Sequence, residues 1–294
     1  MIVITAPTGD IGLQVLENVL GSGKPVRVIA RNPSALPRKM AERVEVVQGS
    51  HGDASVVERA FAGADALFWL APPDPRAKSV EAAYVDFTRP ACEAIKRQGV
   101  KRVVDITAVG RGTLVADVAG YVTGSLAMDD LIASTGVAFR AVACPSFMDN
   151  LLRQAPAIKT QGIFFSPIDG DRKLPACATR DIAAVASKLL LDTSWSGQDD
   201  VAVLGPEDLS FNDMAQIMSE VLARPIRFQH IPFEGYNARF LEFGMSEAMA
   251  KGMTDMAKAK NSGLDNGERR TLENSTPTSF RQWCEDLLKP AVLG

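Results

Sequence analysis

Short apolar runs alternate with helical patterns along the first half of the chain. The apolar runs predict strands at residues 2–4, 26–29, 44–47, 66–70, 103–106 and 138–142. Apolar residues at helical spacing from Ile11 to Leu20 predict a helix after the first strand, and further helices are expected at about 79–98 and about 126–134. Strands and helices in this order form right-handed crossovers, and continuous apolar strands are typical of a parallel sheet covered on both faces. The pattern therefore predicts an α/β fold with a doubly wound parallel sheet.

The regular alternation of predicted strands and helices ends at about residue 150. A helix is expected at 180–191, a returning strand at 201–204, and another helix after Ser210, whose hydroxyl suits an N-cap. We predict that residues 1–150, completed by about 181–205, form one domain. Residues 151–180 and 206–290 then form a smaller substrate-binding domain over the carboxyl ends of the strands, where doubly wound sheets bind ligands. The Met- and Phe-rich stretch 233–256 is interpreted as core that also suits an adaptable apolar pocket.

The first strand runs directly into a loop of small residues, Thr5-Ala6-Pro7-Thr8-Gly9-Asp10-Ile11-Gly12. A dinucleotide loop needs small residues where the backbone approaches a pyrophosphate, and it places the phosphates on the N-terminus of the following helix. The position of this loop, between a buried strand and an amphipathic helix, favours that function. The cofactor-binding candidates are Thr8, Gly9, Asp10, Ile11 and Gly12.

The end of the second strand indicates which dinucleotide is bound. An acidic residue there would hydrogen-bond the ribose 2′-hydroxyl of NAD, whereas a basic residue accommodates the 2′-phosphate of NADP. The chain has Arg31 at this position. The expected cofactor is therefore NADP(H). It would extend past the ends of the fourth and fifth strands, at Leu70, Ala71, Pro72 and Thr107.

Several segments, in this order, resemble the NmrA-like branch of the atypical short-chain dehydrogenases/reductases, which have an NAD(P)-binding Rossmann fold. Besides the Thr5–Gly12 loop, the similar segments are 30–33, 44–53, 99–104, 144–150, 179–183 and 205–210. Three positions depart from the family pattern. Ala6 replaces its first glycine, Pro7 removes a backbone donor, and Asp10 places a carboxylate where it either repels the pyrophosphate or points into solvent and caps the helix.

The resemblance implies a catalytic Ser, a Tyr and a Lys four residues after the Tyr, and only part of that set is present. Thr107 is a stand-in for the Ser, and Tyr121 is the Tyr candidate, but Ser125 occupies the Lys position. Without a neighbouring cation, the Tyr121 phenol is expected to be an unactivated acid. Tyr121 is then either a pocket residue or a half-buried packing residue.

Two functions follow from this incomplete set. The leading hypothesis is an NADPH-dependent reductase of a small, apolar, conjugated substrate, quinone-like or aromatic, because hydride transfer to such an acceptor depends on cofactor orientation more than on a protein base. Tyr121, Phe147 and Asn150 are the substrate-binding candidates. The alternative is an NADP(H)-binding redox-sensing regulator without turnover that acts through a protein partner. A ligand-free interaction protein is a third reading.

Composition and charge limit the classes of molecule that this chain is expected to bind. The chain has 294 residues, 46% of them hydrophobic, and a formal net charge of −3, which argues against nucleic acid as a direct partner. Four scattered cysteines without a CxxC pair indicate reduced thiols in a cytoplasmic protein. Two isolated histidines predict no metal site. No membrane association is expected. A homodimer or a regulatory protein partner stays open.

Overall fold

The fold is described from a computed structural model that covers every residue from Met1 to Gly294. The strands, in chain order, are β1 (Ile2–Ile4), β2 (Val26–Ala30), β3 (Glu45–Gln48), β4 (Ala66–Trp69), β5 (Arg102–Ala108), β6 (Ala138–Cys144), β7 (Ser146–Phe147), β8 (Ile163–Ser166), β9 (Leu174–Cys177), β10 (Gln198–Ala202), β11 (Asp208–Leu209) and β12 (Arg227–His230). The α-helices are α1 (Asp10–Gly21), α2 (Arg38–Ala41), α3 (Ala54–Phe61), α4 (Phe87–Gln98), α5 (Tyr121–Ala133), α6 (Ala155–Gln161), α7 (Thr179–Leu191), α8 (Phe211–Leu222), α9 (Phe233–Glu242), α10 (Glu247–Asn261), α11 (Phe280–Trp283) and α12 (Lys289–Leu293).

The largest sheet has seven strands in the order β10-β6-β5-β4-β1-β2-β3, with β1 to β6 from the first half of the chain and β10 from the second. β1 pairs in parallel with β2 on one side and β4 on the other, and the β2–β3 and β4–β5 pairs are also parallel. The strand order reverses at β1, so that β1 lies at the switch point where doubly wound sheets bind ligands. The predicted α/β, doubly wound fold class is confirmed.

The chain divides into two compact units. Unit 1 comprises residues 1–108, 124–143 and 182–201, and unit 2 comprises residues 109–123, 144–181 and 202–294. In unit 1, Phe61, Ile95 and Met128 from three different helices are buried together with Leu67 and Trp69 of β4. Burial of such side chains removes apolar surface from water and holds these helices to the sheet.

Unit 2 has its own hydrophobic core and two small sheets. The sheets have the orders β11-β9-β7 and β12-β8. Met218 of α8, Phe164 of β8 and the stacked rings of Phe280 and Trp283 are fully buried in this core. The predicted N-cap of α8 is present, because the Ser210 hydroxyl accepts from the Asp213 N–H and the Asp213 carboxylate accepts from the Ser210 N–H.

Some element boundaries differ from the sequence predictions. The helix expected at 79–98 begins with a wide π-turn, Ala82–Asp86, before α4. Pro90 of α4 lacks the N–H that would bond to Asp86 four residues earlier, and its ring needs room at that carbonyl, so a widened turn there is expected. The helix expected at 126–134 already starts at Tyr121, and the returning strand lies at Gln198–Ala202 rather than 201–204.

The Met- and Phe-rich stretch 233–256 was expected to be core, and for its first half that expectation is wrong. α9 buries no residue fully, and Phe243 after it is 86% exposed. α10 does contribute buried residues, including Met249 and Ala250. Composition alone misled the prediction because α9 places charged residues between its apolar ones. No helix of the structure combines the length and the apolar character that crossing a membrane requires.

Candidate cofactor site

The loop between β1 and α1 makes a tight turn whose outer surface is open to solvent. Ala6 adopts a left-handed conformation, with φ of 48°, and its carbonyl accepts from the Gly9 N–H at 3.1 Å. Thr8, Gly9 and Asp10 are exposed. A Cβ on Gly12 would overlap the carbonyl oxygen of Ala6. Gly12 therefore allows the first turn of α1 to approach the loop backbone closely.

This geometry fits a bound pyrophosphate. The first N–H groups of a helix have no partner within the helix and carry partial positive charge, so they attract anions. α1 starts at Asp10, and its N-cap Gly9 has no side chain to occupy these donors. Asp10 is therefore not the N-cap residue, and its exposed carboxylate stands on the first turn of the helix.

Arg31 lies directly after β2, and its side chain is exposed. Two other arginines of the same segment have partners within the protein: Arg38 pairs with Glu42 at 2.9 Å, and Arg43 donates to the carbonyl of Leu20. Arg31 makes no ion pair, but its charge reaches the ring of His51, where it opposes protonation. The Arg31 guanidinium is therefore available to an anionic group at the end of β2.

Leu70 is fixed by two residues that sequence reasoning missed. The Leu70 N–H donates to the buried hydroxyl of Thr5 at 2.8 Å, and Nε2 of His51 lies 3.0 Å from the Leu70 carbonyl oxygen. The His51 ring also contacts the rings of Trp69 and Phe87 edge-on. Burial lowers the pKa of His51 to about 4, so the ring stays neutral at neutral pH. His51 comes shortly after β3 in the sequence, and no motif around it indicates this contact.

The cofactor-binding candidates at the end of β4 differ in exposure. Leu70 is half-buried, Ala71 is buried and Pro72 is exposed. Because Thr5 and His51 hold Leu70 from both sides, the backbone at this strand end has a fixed position relative to the β1–α1 loop. A fixed strand end of this kind suits a surface against which a cofactor is oriented.

Thr107 of β5 takes part in a buried hydrogen-bond network with α5. Its hydroxyl donates to Asp129 Oδ2 at 2.7 Å, and the Ser125 hydroxyl lies 2.7 Å from the same Thr107 oxygen. Ser125 and Asp129 are four residues apart and therefore share one face of α5. Sequence reasoning missed Asp129, although its spacing of four residues from Ser125 is visible in the sequence. Asp129 is buried, whereas its neighbour Asp130 is exposed.

The remaining candidates belong to unit 2. Tyr121 is the first residue of α5 and is buried, and this desolvation raises the pKa of its phenol to about 12. Phe147 is half-buried in β7, where it pairs with Cys177 of β9, and Asn150 is exposed in the 3₁₀ segment Met148–Gln154. Burial therefore makes the Tyr121 phenol a weaker acid than free tyrosine.

Comparison with known protein families decides what this arrangement represents. A family model described as NAD(P)H-binding matches residues 7–193, and a model described as the NmrA-like family matches residues 127–283. The chain belongs to the NmrA-like family of NAD(P)H-binding proteins. The predicted family and the nicotinamide cofactor class are thereby confirmed.

Three known proteins show what this NmrA-like chain is similar to. A (4-alkanoyl-5-oxo-2,5-dihydrofuran-3-yl)methyl phosphate reductase of Streptomyces griseus is 32% identical over 234 residues, 79% of this chain and 77% of that protein. An NAD(P)H azoreductase of Xenophilus azovorans is 28% identical over 256 residues, 87% of this chain and 86% of that protein. The crystal structure of an Escherichia coli quinone oxidoreductase complexed with NADPH has the same fold, with a TM-score of 0.75, 20% identity, and coverage of 96% of this chain and 97% of that one.

Proposed function

We propose that this NmrA-like protein is an NADPH-dependent reductase of small, apolar, conjugated acceptors of the quinone-like or aromatic kind. The single observation that carries the proposal is the combination of an open β1–α1 phosphate loop with an unpaired Arg31 at the end of β2. The relatives add support, because their names describe reduction of an azo compound and of an unsaturated, carbonyl-bearing phosphate ester.

The residues of the chain then have distinct tasks. The N–H groups at the start of α1 bind the pyrophosphate, and Arg31 binds the 2′-phosphate. Leu70, Ala71 and Pro72 border the cofactor at the end of β4, and Thr107 borders it at the end of β5. When bound, the nicotinamide supplies a hydride to the acceptor. Orientation of the two reactants is the main contribution of the protein.

Tyr121, Phe147 and Asn150 are proposed to contact the substrate in unit 2. Because burial raises the pKa of Tyr121 to about 12, its phenol is neutral at physiological pH and serves as a hydrogen-bond donor. The Thr107 hydroxyl already donates to Asp129, so we assign Thr107 the task of fixing the strand end rather than of transferring a proton. A cytoplasmic location, where NADPH is available, belongs to the same proposal.

A regulator that binds NADP(H) without turnover is the second candidate. One observation favours it: the position four residues after Tyr121 holds Ser125, whose hydroxyl lies beside Thr107, and not a cation. Such a protein would bind the cofactor through the same loop but would not oxidise it.

Steady-state oxidation of NADPH in the presence of a neutral naphthoquinone separates the two candidates. We expect NADPH consumption that depends on both the protein and the acceptor, with one quinol formed per NADPH. The control is the Gly12→Val variant, whose side chain would overlap the Ala6 carbonyl and close the loop. NADPH binding to the wild type without consumption, across quinone, azo and enone acceptors, would reject the reductase and leave the regulator.

A further inference from the structure

Phe165 of β8 contacts two segments of unit 2 that each carry an exposed arginine. The side-chain amide of Gln154 grips the backbone of Phe165 on both sides: its Oε1 accepts from the Phe165 N–H at 2.9 Å, and its Nε2 donates to the Phe165 carbonyl at 3.1 Å. Arg153, which precedes Gln154, is thereby held beside this strand, with its own side chain exposed.

The guanidinium of Arg239 lies over the ring of Phe165. The Cζ of Arg239, on α9, is 3.9 Å from the centroid of the Phe165 ring. A cation–π contact of this kind holds the guanidinium against the ring and leaves its N–H groups free to bind an acceptor. No carboxylate lies within ion-pair distance of Arg239 or of Arg153, although both side chains are at the surface.

A phenol completes the cluster. Tyr236 lies three residues before Arg239 on α9, so the two side chains occupy neighbouring positions on the helix surface. Its ring packs against Phe240 and against the buried residues Ile168, Leu174 and Ala257. Burial raises the pKa of Tyr236 to about 12, and the charge of Arg153 is close enough to oppose that rise. The Tyr236 hydroxyl has no hydrogen-bond partner within the protein and stays a donor.

Five other arginines of unit 2 donate hydrogen bonds to partners within the protein. Arg180 donates to Asp286, Arg270 to Asp208 and Arg281 to Glu220. Arg172 and Arg224 donate to backbone carbonyls. These five side chains are tied into the fold, whereas Arg239, over the Phe165 ring, and Arg153, whose charge acts on Tyr236, have unused donors. Two unpaired guanidinium groups and a neutral phenol form a donor set suited to an oxyanion.

We propose that Arg153, Arg239 and Tyr236 form a binding site for an anionic substituent, a phosphate or sulfonate ester group, carried by the conjugated substrate. The inference rests on the proposed reductase function and narrows its substrate class. Arg239 and Arg153 supply charge-assisted hydrogen bonds to the anion, Tyr236 supplies a neutral one, and the Phe165 face holds Arg239 in place.

Calorimetric titration with 1-naphthyl phosphate tests the site directly, with NADP⁺ at saturation so that the dinucleotide loop is occupied. We expect Arg239→Gln and Arg153→Gln each to weaken binding by about tenfold, the loss typical of one charge-assisted hydrogen bond. Arg269→Gln is the matched control, because it removes the same charge from an exposed arginine elsewhere in unit 2. It should leave the affinity unchanged.

Two further titrations decide where the anion comes from. Inorganic phosphate should bind at least about tenfold more weakly than naphthyl phosphate if the anion is part of an aromatic substrate. Neutral 1-naphthol should be insensitive to both variants. No binding of naphthyl phosphate to the wild type, equal losses in all three arginine variants, or equal affinities for the two phosphates would overturn the proposal. Absence of NADPH turnover with any acceptor would instead reject the reductase function, and the binding comparison would still decide the site.

Discussion

Ala6 adopts a backbone conformation that alanine normally avoids, at the point where the family loop usually has glycine. With φ of 48°, its Cβ is crowded by the following peptide. We expect Ala6→Gly to raise the free energy of unfolding by about 1 kcal/mol, against the usual destabilising effect of glycine. Urea denaturation measures the change.

A matched control comes from an alanine with an ordinary φ. Ala62, after α3, has φ of −57° and is exposed. Ala62→Gly should lower the free energy of unfolding by about 0.5 kcal/mol, because glycine there only adds flexibility to the unfolded chain. An equal decrease in the free energy of unfolding for both glycine variants would show that the backbone at Ala6 is not strained.

Arg31 is proposed to set the choice between NADPH and NADH. We expect the wild type to bind NADPH more tightly, and Arg31→Ala to weaken NADPH by about tenfold or more while leaving NADH unchanged, because only NADPH carries the 2′-phosphate. Calorimetric titration with both cofactors measures this. Arg38→Ala is the control, since Arg38 is exposed in the same segment but already paired with Glu42. Equal losses for both cofactors in Arg31→Ala would show that Arg31 acts only through the fold.

At the scale of elements, the contact of His51 with the end of β4 makes the stability of the fold depend on pH. Its folded pKa of about 4 lies below the usual 6.5, so the unfolded chain binds a proton that the folded chain refuses. Stability is therefore complete above about pH 6.5 and falls as the pH decreases toward about 4. We expect a loss of about 2 kcal/mol from this residue between about pH 7 and about pH 5.

The His51→Gln variant isolates that contribution. Glutamine keeps an N–H donor for the Leu70 carbonyl but does not titrate in this range. The difference in unfolding free energy between the two proteins, measured in urea at several pH values, should shrink steadily as the pH falls. Parallel pH profiles for the two proteins would show that His51 is accessible to protons in the folded state.

A second prediction at this scale concerns Tyr121, the first residue of α5, and its contribution to turnover. Because Tyr121 has a raised pKa and no lysine four residues later, Tyr121→Phe should retain turnover within about tenfold of the wild type. The measurement is kcat with NADPH and a neutral naphthoquinone. A loss of about a thousandfold would mean that the phenol acts as the proton donor and is activated by a group outside the expected Ser-Tyr-Lys pattern.

Local signals in the sequence were sufficient to predict several elements of the fold. The apolar run of β1, the small residues before α1 and the Ser210 cap of α8 each act within a few residues of chain, and the structure has all three. The contacts that fix the site from a distance were not readable in the same way. The Thr5–Leu70 bond spans 65 residues and the His51–Leu70 bond spans 19. No periodicity encodes such pairs.

Residue composition was a poorer guide than residue position. The stretch 233–256 was expected to be core from its Met and Phe content, yet α9 has a largely exposed surface. Position was informative for Asp129, because its spacing of four residues from Ser125 places both side chains on the face of α5 that contacts Thr107.

For the whole molecule, the chain is an NAD(P)H-binding member of its family, and the reductase function is the proposal that follows. The proposal assigns cofactor choice to unit 1 and substrate choice to unit 2. Changes at Arg31 should therefore alter only cofactor parameters, and changes at Arg239 only the parameters of anionic acceptors.

The most direct test of the reductase function is a single turnover. Protein loaded with NADPH is mixed rapidly with a neutral naphthoquinone, and the absorbance of the reduced nicotinamide is followed. We expect this absorbance to fall much faster than without protein, and to fall about two- to threefold more slowly when the transferred hydrogen of NADPH is deuterium, because the hydride bond breaks in that step. An absorbance that stays constant in the bound complex, with quinone, azo and enone acceptors alike, would contradict the account.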